Sequence, residues 1–156
     1  MRRSDREVTD PEKIRAIIDR CTCCRLGFWD RQEVYILPLN FGYEEAEGKR
    51  VFYFHSAKEG RKIGLIAGAP RVGFELDTNY QLHEAETACA HSARFQSVIG
   101  TGTVQFVMEE DERRKALCSL MQHNTGRADW AFTPEQLNAV AIYRLDVETL
   151  SAKEHA

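Results

Sequence analysis

The sequence predicts a mainly β protein, an antiparallel barrel with helices packed over its ends. Three observations carry this. Strand-like segments rich in Val, Ile, Tyr and Phe fill the middle of the chain. They lack the regular strand–helix alternation of a parallel sheet. The longest of them, Arg94 to Met108, contains Gly100 and Gly102. Glycines inside a strand mark a bend, a bulge or close backbone approach, as barrel closure demands.

The elements follow in order. Ile14, Ile17, Ile18 and Cys21 recur at helical spacing, so Pro11 to about Cys21 is a helix. Pro11 suits its first position. Asp10 or Thr9 can cap it, and Glu12 stands three after Thr9 as in a capping box. Glu33 to Phe41 and Arg50 to His55 read as two strands of a hairpin, joined by the loop Gly42 to Lys49. Ala57 to Ala67 is a short helix. Arg71 to Leu76 is a third strand, introduced by Gly68 and Pro70. Asp77 to Ala93 is polar and without clear period. Glu109 to about Gln122 is a helix with an acidic first turn, which suits the helix dipole. Thr133 caps a short helix from Pro134, and Val140 to Val147 is the last strand.

The chain has 156 residues, the size of one domain, taken as residues 1–156. It has no repeat and no Pro/Gly/Ser linker. Lys and Arg number 21 against 24 Asp and Glu, a net charge of −3. That balance excludes a generic nucleic-acid or anionic-membrane binder. No apolar run approaches the ~18 residues of a membrane span, and the charged start lacks a signal-peptide core. Five cysteines suit a reduced, cytoplasmic protein better than a disulfide framework. Cys21, Cys23 and Cys24 have no well-spaced second pair, so no metal site is expected; a buried thiol at Cys21 is ordinary. His83, Glu84, Glu86, Cys89 and His91 read as a solvated loop.

Two segments carry candidate chemistry. Phe54-His55-Ser56-Ala57-Lys58-Glu59-Gly60-Arg61-Lys62 runs from a strand end into a helix start, where free N–H groups suit a phosphate. Ser56 supplies a hydroxyl, Gly60 permits close backbone approach, and Arg61 and Lys62 are cations of two geometries. An exposed basic turn is the plain alternative. In Tyr35-Ile36-Leu37-Pro38-Leu39-Asn40-Phe41, proline belongs on a sheet edge or beside a bulge, which frees backbone groups for a ligand. An ordinary core strand is the alternative there. No nucleophile–base pair stands at a recognisable spacing. Gly100-Thr101-Gly102 lacks the third glycine of a dinucleotide fingerprint, and Gly42 to Lys49 has the wrong spacing for a P-loop.

With these residues in view, the chain resembles the flavin-binding split-barrel superfamily related to pyridoxamine 5′-phosphate oxidases, and within it the nitroimidazole-resistance (Nim) group. The matching stretches are Met1-Arg2-Arg3-Ser4-Asp5-Arg6-Glu7, Cys24-Arg25-Leu26-Gly27, Pro38-Leu39-Asn40-Phe41-Gly42-Tyr43, His55 to Lys62, and Ser97-Val98-Ile99-Gly100-Thr101-Gly102. The resemblance implies a homodimer with FMN at the subunit interface. It assigns the phosphate to His55, Ser56, Ala57 and Gly60 with Arg61 and Lys62. Leu37, Pro38, Leu39 and Asn40 would run along the isoalloxazine, Ser97 and Val98 would approach from the partner, and Trp130 would cover the ring. The family's Thr-Gly-Lys turn is replaced here by Ser151-Ala152-Lys153. The implied activity is electron transfer from reduced flavin to a small electron-poor acceptor, with His55 as the titratable group near neutral pH. A non-catalytic flavin-binding module and a haem-binding split barrel are the other readings.

Overall fold

The computed structural model describes residues 4–155. Met1, Arg2 and Arg3 of the first matching stretch lie outside the described residues. After a 3₁₀ turn at Ser4–Arg6 come β1 (Glu7–Val8), α1 (Pro11–Arg20), β2 (Cys24–Trp29), β3 (Val34–Leu39), β4 (Gly42–Ala46) and β5 (Lys49–Ser56). Then follow α2 (Arg61–Gly68), β6 (Arg71–His83), a 3₁₀ turn at Ala88–Ala90, β7 (Ser92–Phe106), α3 (Glu110–Thr125), α4 (Pro134–Ala139) and β8 (Ala141–His155). The strands join in the order β3-β2-β6-β7-β8-β5-β4, all antiparallel, with β1 added to β8.

The sheet curls on itself. Phe52 of β5 and Phe74 of β6 stand three steps apart in the strand order, yet their ring centroids are 5.3 Å apart. Phe41, Tyr43, Phe54 and Tyr143 join them in one buried core with Leu26, Phe28, Leu76 and Val98. The edges β3 and β4 do not pair, so the barrel is split. A second cluster lies outside the curl, where Tyr53 and Ile142 meet Leu117, Leu120 and Leu137 of α3 and α4.

The helices follow their local signals. Asp10 caps α1 by accepting from the Glu12 N–H at 3.1 Å, so the Thr9 capping box is not used. Ile14, Ile17 and Ile18 are buried beneath it. Thr133 and Gln136 form a reciprocal capping box on α4.

Several strand expectations are corrected. The segment Gly42 to Lys49 is not a loop between two paired strands. Its first half is β4, which pairs with β5 through a turn at Glu47 and Gly48, both left-handed. β3 pairs with β2 instead, a strand the reading passed over. The short helix starts at Arg61 rather than Ala57. β6 runs on through the polar stretch to His83, and β8 runs to His155. Ser151-Ala152-Lys153 is therefore strand, with Ala152 opposite Val8 and Val98, and not a turn.

The two glycines of β7 mark both close approach and a bulge. A Cβ on Gly100 would stand 2.1 Å from the Thr149 carbonyl oxygen. Between Thr101 and Gly102 the pairing with β8 slips by one residue.

Candidate functional site

β5 sets the candidate site by alternation. Phe52 and Phe54 point into the barrel, whereas Tyr53 points at α3 and α4. Ser56 shares the inner side and His55 the outer one. The His55 ring opens on a cleft of about 290 Å³ lined by Leu117, Leu120, Met121, Phe132 and Val140, with Gln136 as its polar wall. The residue as a whole is exposed, but the apolar lining strips water from the imidazole and lowers its pKa below 6.5. The lining therefore favours the neutral imidazole over the imidazolium.

This makes a pH prediction. The unfolded chain binds a proton at His55 near pH 6.5 and the folded chain only below that. The folded state keeps its full stability above pH 6.5 and loses part of it as the pH falls through the two values. We expect His55→Gln to flatten the acid side of a urea-melting profile. A wild-type imidazole resonance that titrates at or above pH 6.5 would contradict the assignment.

On the inner side the Tyr143 hydroxyl is buried without a hydrogen-bond partner. Burial pushes its pKa up to about 12. Ser56 reaches toward it but donates to the Ala57 carbonyl at 2.9 Å. Gly60 precedes α2 with φ 112°, a conformation that suits glycine, and no side chain caps the helix. The Lys62 ammonium lies 3.6 Å from where a Gly60 Cβ would stand. The α2 start therefore keeps free N–H groups beside a lysine.

Arg61 is held differently from a free cation. Its Nη2 donates to Asp30 and to Glu33, each at 2.6 Å, and its guanidinium lies over Tyr35 at 4.7 Å. The Glu33 N–H first, then the Arg61 guanidinium, lowers the Asp30 carboxyl to about 2. These contacts fasten α2 to the β2–β3 turn. They bring the start of β3 beside the Ser56–Lys62 segment.

The remaining expected residues spread from there. Leu37 and Leu39 are half-buried, and Pro38 and Asn40 face outward on the edge strand. Asn40 donates weakly to the Thr22 carbonyl and to Asn124, at 3.3 and 3.4 Å. Ala57 is exposed. Val98 is wholly buried in the chain's own core, so only its backbone faces a neighbour, whereas the Ser97 side chain is half-exposed. Ser56 lies opposite Ala141, close to the level where Tyr143 pairs with Phe106. Ser97 is nine residues from Phe106 along β7, or about 30 Å of strand. One chain therefore does not bring Ser97 and Ser56 together. Trp130 stands on the α3–α4 loop with Arg127 over its ring at 4.8 Å. Phe132, two residues on, is the aromatic that reaches the His55 cleft.

Asp30, Glu33, Tyr35, Phe132 and Tyr143 are the site residues that sequence reasoning missed. Only Tyr35 stood in a segment already singled out. Cys21 and Cys24 are buried, and burial pushes the Cys21 thiol up to about 12. Among the described residues no helix is long and apolar enough to cross a membrane.

A profile of the pyridoxamine 5′-phosphate oxidase family matches residues 10–154. The chain belongs to this family. The match spans nearly all of the chain, from the start of α1 to the end of β8. A Bacteroides thetaiotaomicron protein described as a candidate 5-nitroimidazole antibiotic resistance protein is 27% identical, with a TM-score of 0.81 over 95% of this chain and 86% of that one. The flavocytochrome Anf3 of Azotobacter vinelandii is 18% identical, with a TM-score of 0.79 over 100% of this chain and 72% of its own. An FAD and haem binding protein of Mycobacterium smegmatis is 17% identical, with a TM-score of 0.79 over 96% and 73%. Among curated proteins none matches. The split barrel expected from sequence is thus the fold of this oxidase family.

Proposed function

We propose that the protein binds FMN and works as a small-molecule oxidoreductase. The observation that carries this reading is the uncapped start of α2, where Lys62 stands at the Gly60 turn, four residues past Ser56. These groups fit a phosphate monoester, and they lie in a chain of the pyridoxamine 5′-phosphate oxidase family. FMN, when bound, supplies electron transfer to an electron-poor acceptor such as a nitro compound. The chain's own residues bind and orient. Ser56, Lys62 and Arg61 hold the phosphate, the segment from Leu37 to Asn40 offers backbone groups and an amide to the ring, and His55, on the other face of β5, is the titratable side chain that exchanges a proton.

A second copy completes the site in this reading, because Ser97 stands about 30 Å of strand from Ser56 in one chain. An apolar face supports it. Trp29, Val34, Ile36 and Ile99 are 55, 64, 62 and 49% exposed. They lie on β2, β3 and β7, and Ile36 borders a groove lined by Gly27, Gly73 and the Arg25–Glu75 ion pair. We expect a dimer by sedimentation.

The test is reconstitution. The purified protein incubated with FMN and desalted should keep flavin absorption in a one-to-one ratio per chain. It should then oxidise a reduced nicotinamide in the presence of a nitroaromatic acceptor. Flavin bound without turnover would leave a storage or sensing module. A colourless protein after reconstitution would sink the reading.

A further inference from the structure

At the far end of the β6–β7 ribbon, remote in strand length from Ser56, lies a cavity of about 570 Å³. Its floor is a fixed polar chain. Asn79, left-handed at φ 56°, sits in a bulge between Thr78 and Gln81, and its Nδ2 donates to the Gln96 side-chain Oε1 at 2.7 Å. Gln96 is buried, at 7% exposure, and donates in turn to Glu154. Lys13 donates to the other Glu154 oxygen at 2.7 Å. The one carboxylate of the lining is therefore already matched by an ammonium and an amide.

The rim differs. The Arg94 guanidinium has no ion pair or hydrogen bond among the described residues, and it faces the cavity. His155 stands beside it, its Nδ1 bonded to the Ala93 carbonyl at 2.6 Å. A carbonyl only accepts, so Nδ1 carries the proton and Nε2 is left for a ligand. Tyr80, 69% exposed, and the His155 ring supply flat surface. A free arginine selects an anion when the one carboxylate among the described lining residues is already matched, and the rings select what the anion is attached to.

We propose that this cavity is a second ligand site, for a small organic anion that carries an aromatic or other planar group. Arg94 takes the anionic group and Tyr80 the planar one, on a floor that Asn79, Gln96 and Glu154 hold rigid.

Phenyl phosphate is the probe, titrated into the intact protein and followed by amide NMR, with and without saturating FMN. The amides of residues 79–81, 94–96 and 154–155 should shift together. Arg94→Ala should raise Kd by roughly ten-fold or more, as loss of a charge-assisted bond does. Tyr80→Ala should erase the preference for phenyl phosphate over inorganic phosphate. Both side chains are exposed, so the fold should survive, and an unchanged amide spectrum elsewhere checks it. FMN should leave the phenyl phosphate Kd unchanged whether or not the protein is a flavoprotein. Absent shifts at these amides at millimolar probe, an unaltered Kd in Arg94→Ala, or displacement of the probe by FMN would each overturn the proposal.

Discussion

Gly100→Val should yield a chain that does not fold. Gly100 lies where β7 crosses the barrel, with the Thr149 carbonyl oxygen on one side and the Phe74 ring on the other. An added Cβ would stand 2.1 Å from that oxygen and 2.5 Å from the ring. Phe74 cannot swing away, because Phe52 packs against it at 5.3 Å. The carbonyl belongs to β8, which is held to β7 before and after Thr149, so relief requires shifting that pairing. Ordinary overpacking costs about 1–3 kcal/mol because side chains adjust. Here backbone must adjust, and even Gly100→Ala should cost about 3 kcal/mol or more, a large part of a typical 5–15 kcal/mol stability. Gly64→Ala is the contrast. Nothing stands within 4 Å of its Cβ and it lies inside α2, so alanine should stabilise by about 0.5–1 kcal/mol. Urea melts of the two alanine variants decide the matter. A Gly100→Ala protein as stable as wild type would refute the close approach.

The same position shows what was legible in the sequence. A glycine in a strand says that something comes near, and Gly100 and Gly102 were read so. What comes near is Thr149, 49 residues on, and no local pattern names it. The helices were legible because Ile14, Ile17 and Ile18, or Thr133 with Gln136, act over one or two turns. β4 was not, because Glu44-Glu45-Ala46 has the composition of a loop and becomes strand only by pairing with β5. The distal half of β6 is exposed on both faces, so it carries no period-2 signal; its ladder with β7 holds it. β2 did carry a signal. Cys24, Leu26 and Phe28 alternate inward with Arg25, Gly27 and Trp29 outward. Its pairing with β3 moved that strand away from β5 and altered the neighbours of the whole candidate site. The cations Arg61 and Lys62 were legible as a pair. The Asp30 and Glu33 carboxylates that hold one of them were not, since they sit 31 and 28 residues back and meet it only through the fold.

Those carboxylates shape the second expected result. Replacing both Arg61 and Lys62 by alanine should raise the Kd for FMN by well over roughly ten-fold, since each loses a charge-assisted phosphate bond. The two residues should not contribute alike. Lys62 has no carboxylate partner among the described residues and stands at the Gly60 turn, so Lys62→Ala removes attraction alone. Arg61 is shared with Asp30 and Glu33 at 2.6 Å each, and a phosphate must compete for its donors. Arg61→Ala removes that competition but leaves two unmatched carboxylates beside the phosphate. It should therefore be the more damaging of the single changes. Asp30→Asn with Glu33→Gln should act the other way and tighten FMN, because the guanidinium is then free for the phosphate. All of these groups are near water, so the differences should shrink as salt rises from 50 to 500 mM, as screening between exposed charges requires. Quenching of flavin fluorescence, titrated at both salt concentrations, reads every variant. Equal Kd values for wild type and the double alanine variant, with the fold intact by circular dichroism, would remove the phosphate from the start of α2.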